Sequence, residues 1–108
     1  MYIASYSSEG KKGKENVIYL IKDITKPVSK IFFDVPGYYD GITLSGDGRT
    51  LYVSHWAPNG VTAIDVQSKK ATPINFKTQL EGAAEFALWG NKIYLPDLNG
   101  KVIVKKIK

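Results

Sequence analysis

The side chains in this sequence suited to holding ligands or moving protons are few. They are the carboxylates Asp40, Glu85 and Asp97, the amide Asn99, the indole Trp56 and His55, the one histidine of the chain. His55 is the candidate general base, because an imidazole titrates near neutrality without help from its surroundings. No Ser or Cys nucleophile is placed beside it by spacing, and a packing or surface role is the alternative. Trp56 offers a flat ring on which a ligand can stack, or a large amphipathic group that closes the edge of a sheet. The run Asp97-Leu-Asn-Gly100 sets a carboxylate and an amide two residues apart, yet Asp, Asn and Gly are also what a tight turn selects. Ser45-Gly-Asp-Gly48 is rich in glycine, but no Lys-Ser/Thr pair and no helix follow it, so it reads as a hairpin turn and not a phosphate loop.

The elements that carry these residues repeat. Gly37-Tyr-Tyr-Asp-Gly-Ile-Thr-Leu-Ser-Gly-Asp-Gly-Arg-Thr-Leu-Tyr-Val-Ser-His55 is echoed by Gly82-Ala-Ala-Glu-Phe-Ala-Leu-Trp-Gly-Asn-Lys-Ile-Tyr-Leu-Pro-Asp97. Met1-Tyr-Ile-Ala-Ser5 matches the Leu51-Tyr-Val-Ser-His55 half of that unit. Strand-like segments recurring at roughly 40–50 residues are the signature of propeller blades. The expected fold is therefore all-β, built of antiparallel four-stranded blade meanders, about two and a half blades of a β-propeller. The expected division is an incomplete blade over 1–36, a full blade over 37–81, and a closing blade over 82–108 that lacks its outer strand. Gln79 to Trp89 also fits a helical period through Leu80, Ala83, Ala84, Ala87 and Leu88. The repeat overrides that reading, because it aligns Ala84 to Leu88 with the strand Tyr39 to Thr43. Blade geometry then places Asp40, His55, Trp56, Asn59, Glu85, Asp97 and Asn99 on one face, with Ser5 and Tyr6 beside them.

Composition removes several classes of function. The chain has 108 residues, of which 44% are hydrophobic, enough for one globular domain and too many for a disordered tail. No apolar run approaches the length of a membrane span, and the polar stretch from Ser5 to Asn16 leaves no room for a signal-peptide core. Cys is absent, which excludes disulfides and cysteine metal fingers. The net charge of +5 is scattered over Lys11, Lys12 and Lys14, over Lys69 and Lys70, and over Lys105, Lys106 and Lys108. Lysines distributed over loops and strand edges solubilise edges and block their pairing, and do not form a nucleic-acid footprint.

The segments Asp40-Gly-Ile-Thr-Leu-Ser-Gly-Asp-Gly-Arg-Thr-Leu-Tyr-Val-Ser54 and Asn59-Gly-Val-Thr-Ala-Ile-Asp-Val66 resemble six-bladed propellers of the SMP-30/gluconolactonase/paraoxonase-like group. The tail, with Ile93-Tyr-Leu-Pro-Asp-Leu-Asn-Gly-Lys-Val-Ile-Val104, is similar to the closing blade of that group. NHL and YVTN-type propellers share much of the same pattern. The resemblance implies a divalent cation, usually calcium, at the channel mouth, with Asp40 as one of its ligands and Glu85 as the counterpart in the next blade. Calcium takes about 6–8 oxygen ligands, so the remaining donors would have to come from other blades. Two functions follow as expectations. One is a binding or assembly module, non-catalytic as an isolated chain, that covers its open sheet edges and faces by self-association or by docking to further propeller blades. The other is the C-terminal part of a calcium-dependent lactone or ester hydrolase, with His55 or Glu85 near a small-molecule substrate.

Overall fold

The computed structural model describes residues 1–4, 17–26, 28–33, 38–56, 59–76, 82, 85–97 and 100–107. Ser5, Tyr6 and Asn99 lie outside these residues, as do the lysines of the first loop. Every described element is a β-strand. They run in chain order as β1 (Tyr2–Ala4), β2 (Ile18–Ile21), β3 (Ser29–Phe33), β4 (Tyr39–Leu44), β5 (Thr50–Trp56), β6 (Asn59–Asp65), β7 (Ala71–Pro73), β8 (Ala87–Trp89), β9 (Lys92–Pro96) and β10 (Val102–Lys106). They form three antiparallel sheets in which each strand pairs with its chain neighbour: β1-β2-β3, β4-β5-β6-β7 and β8-β9-β10.

The turns form where the sequence supplies their chemistry. In the β4–β5 hairpin Gly48 takes a φ of 73° and donates its N–H to the Ser45 carbonyl at 2.9 Å. The Asp47 carboxylate accepts from the Ser45 hydroxyl and the Arg49 N–H. In the β6–β7 turn Asp65 Oδ1 accepts the N–H groups of Ser68 and Gln67, and the bonds from the Ser68 backbone and side chain, with that from Gln67, hold its carboxyl below the usual range. Lys69 in the same turn has a φ of 60°, a left-handed position that a lysine occupies at some cost. Its ammonium lies 5.2 Å from the Phe32 ring centroid, a cation–π contact that ties this turn to the first sheet.

The middle sheet is buried on both faces. Period-2 alternation sends Leu51, Val53 and Ile64 to one side, where they meet Ile18, Phe32 and Tyr39. Tyr52 and Val61 point to the other side and meet Phe86, Ile93 and Leu95. The Phe33 and Tyr39 rings meet edge-on, with centroids 6.5 Å apart, across the first seam. The core is therefore two apolar layers separated by one sheet.

Of the segment that the repeat aligns with a strand from Ala84, the described residues are strand over Ala87–Trp89, and Phe86 before it turns its ring into the core. Beyond β7 the Ile74 N–H donates to the Val61 carbonyl at 2.9 Å, and Ile74 and Phe76 pack on the second layer. Of the Gln79 to Trp89 window, the described residues contain no helix.

Ile64 is fully buried beneath the first sheet, so Ile64→Ala is expected to cost about 2–5 kcal/mol in urea unfolding. Burial also pushes the Tyr39 phenol up to about 12. The folded chain thus keeps a proton that the unfolded chain releases near pH ~10. Stability is expected to be whole below that pH and to fall by on the order of 2 kcal/mol as pH rises towards about 12. Tyr39→Phe should remove most of this alkaline slope in pH-dependent denaturation. A remnant is expected from Tyr52, whose phenol is also raised, by burial and by the Asp47 carboxylate.

Candidate functional site

The site begins with a β-bulge. Tyr39 pairs with His55 and Ile42 pairs with Val53, so Asp40 and Gly41 together face Ser54 alone. The buried Ser54 hydroxyl accepts the Gly41 N–H at 2.7 Å and satisfies the donor that the bulge removes from the ladder. The bulge leaves Asp40 exposed, and its Oδ2 accepts a hydrogen bond from Trp56 Nε1 at 3.1 Å. The Trp56 backbone N–H donates to the Tyr38 carbonyl at 3.1 Å, which fixes the indole at the end of the β4–β5 ladder.

Asp40, Trp56, Tyr39 and Ala4 line a hollow of about 340 Å³ at the seam between β1 and the middle sheet. A carboxylate and an indole beside a ligand-sized space can hold a small polar molecule by stacking and hydrogen bonding. A second hollow of about 510 Å³, between the middle and third sheets, is lined by Thr43, Ser45, Asp47, Tyr52 and Leu88 among others, and contains none of the expected site residues.

His55, Asp97 and Glu85 do not join Asp40 and Trp56. The His55 Nε2 is hydrogen-bonded to the Thr62 hydroxyl at 2.8 Å, on the face of the middle sheet that also carries Val53. Its ring lies over Gly60, where an added Cβ would stand 3.1 Å from Cε1. Asp97 is buried; its Oδ1 accepts the Gly82 N–H at 2.9 Å, and its carbonyl accepts the Gly100 N–H at 3.0 Å, with Gly100 at a φ of 86°. These contacts are those of a turn that clamps a neighbouring segment. Glu85 is exposed, and its Oε1 contacts the Phe86 N–H at 3.4 Å. Asn59 pairs with Trp56 across the β5–β6 ladder.

The donor set does not fit calcium by itself. Among the described residues no group of three or more His, Asp or Glu side chains is gathered to hold a metal ion. Asp40 supplies one carboxylate, one oxygen of which is engaged by Trp56. Sequence reasoning missed Ser54, which was legible as a polar side chain inside the apolar run Leu51-Tyr-Val-Ser54, the pattern of a buried hydroxyl with a specific partner. Comparison with protein-family models, with curated proteins and with solved structures finds no match to this chain.

Removing the Ser54 hydroxyl strands the Gly41 N–H inside the bulge. Ser54→Ala is expected to destabilise the chain by about 1–3 kcal/mol in urea and to red-shift Trp56 fluorescence as the Asp40 contact loosens. Unchanged stability and emission would show that the bulge stands without its hydroxyl.

Proposed function

We propose that the chain is an assembly and binding module made of propeller-blade units, non-catalytic as an isolated chain. The observation that carries this reading is the stacking of the three sheets. Each is an antiparallel meander, each covers the next through an apolar layer, and the end sheets leave large apolar side chains on their outer sides. Sheets that bury apolar faces in series need a further layer at each end, and association supplies it. The hollow beside Asp40 and Trp56 gives the module a place for a small polar ligand.

A second reading, the C-terminal part of a calcium-dependent lactone or ester hydrolase, has the exposed Asp40 at the rim of that hollow in its favour. It requires oxygen ligands that other blades or other copies would contribute. Calcium titration calorimetry and lactonase assays on the assembled protein test it, and a null result in both ends it.

Light scattering on a size-exclusion column is expected to give a discrete oligomer. A monomer at every concentration would overturn the assembly reading.

A further inference from the structure

Resting on that assembly reading, we propose that the partner is a second copy of this chain, stacked head to tail, the outer face of the third sheet of one copy lying on the outer face of the first sheet of the next. The repeat gives the direction. Tyr2, Tyr52 and Tyr94 occupy the same place in their units, and so do Ile3, Val53 and Leu95. Tyr2 packs towards the middle sheet, among Leu51 and Val53. Tyr52 packs towards the third sheet, among Ile93 and Leu95. At both internal seams, therefore, the tyrosine-bearing face of one sheet meets the aliphatic face of the sheet that follows.

The two outer faces are the unmatched halves of that same seam. On the third sheet, strand register sets Ala87, Tyr94 and Val104 in one row, with Trp89 paired to Lys92 beside it. Trp89 is 78% exposed and Val104 51%. On the first sheet, register sets Ile3, Tyr19 and Ile31 in one row, with Ile3 40% and Ile31 45% exposed. The first of these faces presents the tyrosine position, and the second presents the position of Val53 and Leu95. A second copy offers each face the kind of surface that the chain already uses twice inside itself. The contact is heterologous, because the two patches differ; a two-fold dimer would set like against like at either patch, and head-to-tail copies give a discrete oligomer by closing into a ring.

Paired face variants test this. Trp89→Glu breaks one patch, and the charge stands opposite Lys92, which favours folding. Ile31→Glu breaks the other. Each variant alone is expected to run as a monomer, and an equimolar mixture to form a one-to-one dimer that grows no further, since each partner keeps one sound face. Circular dichroism checks that each is folded, and Val104→Glu replaces Trp89→Glu if that variant unfolds. Wild-type mass retained by either variant overturns the head-to-tail contact. So does a mixture that stays monomeric while the wild type assembles. A monomeric wild type instead removes the assembly reading on which the contact rests.

Discussion

Everything in this molecule is arranged around one sheet that is apolar on both faces. In β5 and β6 each successive residue enters a different core: Leu51 and Val53 the first layer, Tyr52 and Val61 the second. A slip of one residue would exchange the two sets and misplace every one of them. Register is therefore demanded by packing from both sides, and the turns at either end of β5–β6 fix it locally. In the hairpin at Ser45–Gly48 and the carboxylate-capped turn after Asp65, the Asp47 and Asp65 carboxylates do this by accepting hydrogen bonds from nearby N–H groups.

The polar residues follow from the same constraint. Where a strand must bend to bring Asp40 out to the surface, the ladder loses a bond and Ser54 replaces it. Where the chain turns after β9, Asp97 holds Gly82. No buried side-chain nitrogen or oxygen among the described residues lacks a partner. Ser54 and Asp97 thus serve the backbone, and what remains open to a ligand is the exposed pair Asp40 and Trp56.

The fold was more legible in the sequence than the site. Alternation and turn residues are local signals, and they place the hairpin at Ser45–Gly48 where β4 and β5 meet. The start of β8 was less legible because Phe86 looks like a strand residue but packs as irregular chain before it. Asp40 and Trp56 stand out by residue type, while their direct contact depends on the bulge opposite Ser54, which no spacing rule reveals. Asp97 admitted two readings, ligand and turn, because turn-forming and metal-binding residues are the same short polar types.

The double coverage of the middle sheet also sets the order in which the molecule comes apart. The first and third sheets are held to the rest through one face, whereas β5 and β6 are held through two. Either outer sheet can lift while the opposite layer of the core stays closed, but the amides of β5 and β6 meet solvent only when both layers have gone. The chain therefore has a graded interior: two outer units of low local stability around a central ladder whose protection is that of the whole fold.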